Sequence, residues 1–247
     1  MKLTVLGGAG GWPPAGGACS GYLIEHAGFR LLIDPGYATL PRLLELAPAE
    51  SIDAVLVSHG HPDHVADLSP LLRARTMRDD PASPLPAYAL PGSLGAVLAL
   101  DQAESVKEAC EVREFEAGEA LRIGPFEIDS RLLPHFVPNA GVRITAGGLS
   151  ITYTGDAGPI DDLVELADRT DLLLAEATFV DSVPATSAGN LNSALEVGRQ
   201  AAQAGAGRLL LTHLWPGTDP EASRAAASRA FQDWVGVATG RLVMELS

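Results

Sequence analysis

Lysine is nearly absent from this chain: Lys2 and Lys107 are the only two, against 31 aspartates and glutamates and a formal net charge of −14. A protein this acidic and lysine-poor makes a bad general binder of nucleic acid, because neutralised phosphates supply the non-specific affinity. The one basic cluster, Arg73, Arg75 and Arg78, runs straight into Asp79 and Asp80 and reads as a solvated helix end. Cysteine is equally scarce. Cys19 and Cys110 cannot build a disulfide framework, which points to a reducing compartment. Nowhere do the roughly 18–20 uninterrupted apolar residues of a membrane span occur. The opening Met1–Leu6 leads into glycine, unlike the apolar stretch of a secretory signal, so the expected location is the cytoplasm. The tract Gly7–Gly17 matches neither the dinucleotide fingerprint nor a phosphate loop and reads as a plain loop.

What is present suits a folded domain with a sizeable core. Of 247 residues, 47% are hydrophobic, which excludes disorder for the bulk of the chain. Strand-like runs lie at Leu3–Leu6, Tyr22–Glu25, Phe29–Ile33, Ala54–Val57, Phe126–Leu132, Val142–Thr145, Ser150–Thr154, Leu172–Glu176, Arg208–Thr212 and Leu242–Leu246. Tight turns at His26-Ala27-Gly28 and Ala146-Gly147-Gly148 suggest antiparallel hairpins. Helical periodicity fits Leu40–Leu46, His64–Arg75, Leu94–Asp101, Asp161–Asp168, Ser193–Ala204 and Pro220–Trp234, with start signals at Asp63 and at Asp219-Pro220. Pro81–Pro91 is the best linker candidate, yet a helical pattern follows it at once. One domain spanning 1–247 is the simpler reading. Two sheets packed face to face with helices outside, a four-layer αββα sandwich, use this inventory well.

The segment that carries chemistry is Ser58-His59-Gly60-His61-Pro62-Asp63-His64, at a strand-to-helix turn where open α/β sheets place ligands. Three imidazoles and a carboxylate within six residues repel as cations and leave polar nitrogens unpaired as neutral rings. A divalent cation satisfies them together, since zinc takes imidazole nitrogen and carboxylate oxygen at about 2.0–2.2 Å. Three further candidates, His135, Asp156 and His213, each fall at the end of a strand-like run. Of the six histidines only His26 stays outside the set, as a hairpin-turn residue.

His-x-His-x-Asp-His followed by separated His, Asp and His resembles the metallo-β-lactamase-fold superfamily of metal-dependent hydrolases, and the likeness covers nearly the whole chain. It implies the αββα sandwich and a binuclear site, with His59, His61 and His135 on one ion and Asp63, His64 and His213 on the other. Asp156 would bridge the two. Leu174-Ala175-Glu176-Ala177-Thr178-Phe179 and Leu211-Thr212-His213 look most like the ribonuclease Z-type phosphodiesterases. Two departures stand out. Enzymes of that branch carry a His on the loop ahead of the last ligand strand, and here the region reads Ala188-Gly189-Asn190-Leu191-Asn192-Ser193. The tRNA processors also carry a basic projecting arm, whereas the stretch between Asp156 and Glu176 is short and acidic. tRNA is therefore not the expected substrate.

Two ions about 3.5–4 Å apart share a water and activate it without a Ser, Cys or Lys nucleophile. Asp63 is the candidate catalytic residue, orienting that water. Asp34 is a candidate for fixing a ligand imidazole from outside or forms a simple Asx turn before proline, and Glu176 is a lesser candidate for the same role or caps a strand end. Zinc is the expected metal, although His/Asp sites also suit manganese and iron. The expected reaction is cleavage of a phosphodiester in a small nucleotide-like substrate. The alternatives are a lactone, thioester or carboxylic ester on the same metals, or a metal-bound module without catalysis. Trp12 and Trp215, on loops near the metal face, line a cleft, support a homodimer or simply pack on the domain.

Overall fold

The computed structural model describes all 247 residues. Its first half runs β1 (Lys2–Gly7), β2 (Gly21–His26), β3 (Phe29–Ile33), α1 (Thr39–Leu44), β4 (Ala54–Leu56) and α2 (Pro62–Val65). Then come α3 (Leu68–Thr76), β5 (Leu85–Ala89), α4 (Gly95–Leu98), α5 (Glu104–Glu108) and β6 (Cys110–Glu114). The second half opens with β7 (Leu121–Ile123), β8 (Phe126–Leu133), β9 (Asn139–Ala146), β10 (Leu149–Tyr153) and α6 (Asp161–Leu166). It closes with β11 (Leu172–Glu176), α7 (Ala194–Ala204), β12 (Arg208–Thr212), α8 (Pro220–Ser228), β13 (Trp234–Val237) and β14 (Val243–Glu245).

The strands form two seven-stranded mixed sheets, ordered β14-β1-β2-β3-β4-β5-β6 and β13-β12-β11-β10-β9-β8-β7. Side chains alternate across each strand, and that alternation sorts the residues into layers. Leu31, Ile33, Ala54 and Leu56 point between the sheets, where they meet Phe126, Val142, Ile151 and Leu174 of the other sheet. Leu32, Val55 and Val57 point outward and pack with Leu68, Leu71 and Leu72 of α3. On the second sheet, Leu173, Ala175, Leu209 and Leu211 face outward against Val197, Ala201 and Ala227 of α7 and α8. Helix, sheet, sheet, helix is the αββα sandwich expected from the sequence. Both hairpins are present too, with the two-residue turns Ala27-Gly28 and Gly147-Gly148 at positive φ, as primed turns require.

Several local expectations need correction. The helix read as His64–Arg75 is two helices, because the Asp67 N–H bonds Pro35 O and the Asp67 carboxylate takes the Leu40 N–H. Asp63 is accordingly not the helix cap: His61 occupies that position, Pro62 follows at the first helical position, and Asp63 lies inside α2. The helix read as Leu94–Asp101 stops at Leu98, and Asp101 instead accepts the Ala103 N–H ahead of α5 while pairing with Arg73. The last helix ends at Ser228, since Trp234–Val237 pairs in parallel with β12. The supposed linker Pro81–Pro91 contains β5, an interior strand of the first sheet. Nor is the arginine cluster fully solvated. Arg75 is buried and donates to the carbonyls of Ala49, Ile52 and Ser83.

Candidate metal centre

The turn after β4 delivers His59, His61, Asp63 and His64, while the ends of β8, β10 and β12 deliver His135, Asp156 and His213. The structure brings all seven together in two groups whose donor atoms lie within 4.8 Å of one another. One holds His59, His61, His135 and Asp156; the other holds Asp63, His64 and His213. Asp156 reaches both, with Oδ2 3.1 Å from His213 Nε2 and 3.9 Å from His59 Nε2, and Oδ1 3.4 Å from His64 Nε2.

Four rings are held from outside in a common orientation. His59 Nδ1 lies 3.0 Å from Ser58 Oγ, which itself donates to Asp34. His64 Nδ1 meets Asp34 Oδ2 at 2.8 Å, His135 Nδ1 meets Asn190 O at 2.9 Å, and His213 Nδ1 meets Thr178 Oγ1 at 2.9 Å. Each outer acceptor keeps a proton on Nδ1 and leaves the Nε2 lone pair facing inward. His61 Nδ1 then stands 3.1 Å from both His59 Nε2 and His135 Nε2. A proton on His61 Nδ1 can serve only one of these two acceptors, whereas a cation among the three nitrogens satisfies all of them. A tetrahedral zinc with bonds of about 2.0–2.1 Å spaces its nitrogens by roughly 3.3 Å, close to what is seen. Two further buried atoms, His64 Nε2 and Asp156 Oδ1, have no hydrogen-bond partner. Buried orphans of this kind call for a ligand. The donor set therefore fits divalent metal.

Electrostatics agree. Burial, then repulsion from the neighbouring imidazole of His64, pushes His59 well below the usual histidine range; burial likewise lowers His61 and His135. Burial opposes protonation of His64 too, yet Asp156 and Asp34 pull it well above the ordinary value, and Asp156 raises His213 in the same way. Burial alone would raise Asp63 and Asp156, but the surrounding histidines hold both carboxylates far down. Glu176, wholly buried and close to Asp156, is pushed up to about 8 by burial first and that negative neighbour second.

Asp34 is a hub of hydrogen bonds beside the cluster. It accepts four hydrogen bonds, from Ser58 N, Ser58 Oγ, Tyr153 Oη and His64 Nδ1, all between 2.6 and 2.8 Å. Glu176 touches no ligand ring and instead accepts the backbone N–H of Thr178 and of Asn192. Sequence reasoning missed Ser58, Tyr153, Thr178 and the Asn190 carbonyl. Ser58 and Thr178 sit beside motif residues, whereas a backbone carbonyl leaves no trace in residue type. Gly11 N donates to Asp63 Oδ2 at 2.7 Å, so the glycine-rich loop packs on the site. Trp12 and Trp215 lie at its edge, half-exposed, with ring centres 6.1 Å apart, and Phe179 stands 5.5 Å from Trp215.

This fold and donor set define a class, and the family model for the beta-lactamase superfamily domain matches residues 29–214. The chain belongs to that superfamily. Among individual proteins it is similar to the probable metallo-hydrolase YhfI of Bacillus subtilis, 36% identical over 99% of this chain and 100% of that one. The crystal structure of YhfI superposes with a TM-score of 0.90, covering 99% of this chain and 98% of YhfI. Ribonuclease Z of Methanopyrus kandleri is 30% identical over 98% of this chain and 97% of its own length. Human tRNase Z, short form, shares the fold, with a TM-score of 0.80 at 23% identity over the full length of both chains. No helix is long and apolar enough to cross a membrane.

Proposed function

We propose that this protein is a metal-dependent hydrolase with a binuclear centre, zinc by preference, that cleaves a phosphodiester in a small nucleotide-like substrate. The observation that carries the reading is the inward convergence of four Nε2 atoms and His61 Nδ1 with two carboxylates, left with orphaned lone pairs at its middle. His59, His61 and His135 would hold one ion, Asp63, His64 and His213 the other, and Asp156 both. Bound divalent ions supply an acidified water and a Lewis acid for the ester oxygen, with zinc lowering the pKa of water from 15.7 to about 7.

The chain's own residues do the rest. Asp63 is kept ionised by His213 and His64, so it would orient the attacking water as a hydrogen-bond acceptor. The Gly11 amide fixes that carboxylate from the loop side. Leaving-group protonation has no evident donor. Asn192 is tied to Gln200 and to the Ser193 amide, and Asn190 engages the site through its carbonyl. A missing general acid slows an alkoxide-leaving reaction by about 10²–10⁴-fold. Substrates with a stable leaving group are therefore favoured. The same observation supports a second reading, hydrolysis of a lactone or thioester on the same metals. The short connection from Asp156 to β11 holds only the six-residue α6, which supports a small substrate over tRNA.

Metal-loaded protein assayed with bis(p-nitrophenyl) phosphate beside a lactone and thioester panel separates the readings. Phosphodiester cleavage is the expected result. Turnover of lactone or thioester alone replaces the first reading with the second, and turnover of nothing removes both.

A further inference from the structure

One segment touches the centre from two sides. Between β11 and α7 the chain leaves the second sheet at Ala177 and enters the helix at Ser193. Near its start, Thr178 Oγ1 meets His213 Nδ1 at 2.9 Å. Near its end, the Asn190 carbonyl meets His135 Nδ1 at 2.9 Å. His213 and His135 belong to different ligand groups, so this excursion holds one imidazole of each from outside. It also rests on the turn that carries Asp156, since a Cβ on Gly158 would run into the backbone of Gly189 and Asn190.

The neck of the excursion closes on a single side chain. Glu176 Oε1 accepts the Thr178 N–H at 2.9 Å and Oε2 accepts the Asn192 N–H at 2.8 Å. Backbone pairing continues outward, with Phe179 N on Asn192 O and Ala194 N on Phe179 O. The carboxylate has no arginine or lysine partner and is 1% exposed. A carboxyl group taken out of water with no cation to pair with costs stability in either protonation state, so what it holds has to matter.

We infer that Glu176 is a positioning residue that couples the two halves of the metal centre. By stapling both ends of the 177–193 segment, its carboxylate sets the Thr178 hydroxyl against His213 and the Asn190 carbonyl against His135 together. The coupling rests on the metal-centre reading for its consequence, whereas the staple itself does not. Glu176→Gln keeps the shape but turns one oxygen into an NH₂ group. That group confronts an amide N–H, so one of the two bonds must be lost.

The test uses the full-length chain and zinc ions alone. Hydrogen exchange on metal-free wild type should show the Thr178 and Asn192 amides opening at a common slow rate, and in E176Q both should exchange faster. Stepwise zinc affinities against a chromophoric chelator should fall about tenfold or more at both steps in E176Q, in keeping with the 10–100-fold effect of outer partners. Thr178→Val, which cuts only the His213 arm, should weaken one step. Unlinked exchange rates in the wild type overturn the staple, with no need for a variant to fold. Two steps within twofold of wild type in E176Q, or one step weakened as in T178V, overturn the coupling. A wild type that takes up no zinc removes the metal-centre reading and the coupling with it, while the exchange rates still decide whether the staple exists.

Discussion

Replacing Asp34 by Asn tests whether the centre is built from outside inward. The carboxylate is fully buried, with Oδ1 receiving Ser58 N and Oδ2 receiving Ser58 Oγ, Tyr153 Oη and His64 Nδ1. An amide can put its oxygen at only one of these places. With oxygen at the Oδ2 position, the NH₂ group opposes the Ser58 amide, which cannot turn away. With oxygen at the Oδ1 position, the NH₂ group opposes His64 Nδ1–H, and relief requires the proton to move to Nε2. That second arrangement blocks the nitrogen that faces the centre. Hydrogen bonds to charged groups contribute about 1.5–3 kcal/mol each, and at least one is lost. Metal-free D34N should thus be less stable by about 2–3 kcal/mol, a Tm drop of roughly 4–12 °C at 2–4 °C per kcal/mol. Zinc affinity should fall about 10–100-fold. Thermal unfolding of metal-free protein and chelator competition read the two effects separately. A variant that melts with wild type and binds both ions within twofold refutes the role assigned to Asp34.

Three more outcomes follow from the geometry. Asp63→Ala removes the acceptor for the Gly11 amide and a neighbour of His213, so hydrolysis should fall by orders of magnitude and elemental analysis should show less bound metal. Gly10→Ala would place its Cβ 2.5 Å from the His213 ring, so the fold should persist while one zinc step weakens, as titration against a chelator would reveal. Asp156 and Asp34 pull the His64 ring, and Asp156 pulls the His213 ring, toward holding a second proton in the metal-free chain. Ligand nitrogens must shed protons to bind, so zinc uptake at pH 7 should release protons and weaken as pH falls. Calorimetry in buffers of different ionisation enthalpy checks this, and buffer-independent heats contradict it.

The candidate ligands were legible in sequence because their chemistry is hard to satisfy any other way. Three histidines and an aspartate in six residues have few bland explanations, and His135, Asp156 and His213 each close a recognisable strand. Interior strands were legible for a related reason. Runs such as Ala54–Val57 are buried on both faces and read as continuous apolar stretches. The edges were not. β6 exposes Glu111, Val112, Arg113 and Glu114 and has no apolar pattern, while β5 carries Pro86 in a proline-rich stretch that argues against an interior strand. Tertiary pairing with β4 on one side and β6 on the other overrides that local signal. The split between α2 and α3 was hidden because its cause, the Asp67 N–H bonding Pro35 O, joins segments far apart in the chain.

Two backbone positions show how the fold and the centre constrain each other. Asp34 has φ of 46° and His213 has φ of 58°, left-handed values that glycine would adopt with less strain. Glycine at either place would forfeit the side chain that reaches the centre. Each residue directly follows a strand, β3 and β12, and from that left-handed position its side chain meets the centre, Asp34 at His64 and His213 at Asp63. The strain persists because the surroundings over-determine it: four donors grip Asp34, and Thr178, Asp63 and Asp156 grip the His213 ring. Both ligand groups draw on both sheets, His59 and His61 with His135 and Asp156, Asp63 and His64 with His213. Metal bound there would join the two halves of the sandwich to each other, so the same side chains that would activate water would also tie the sheets together.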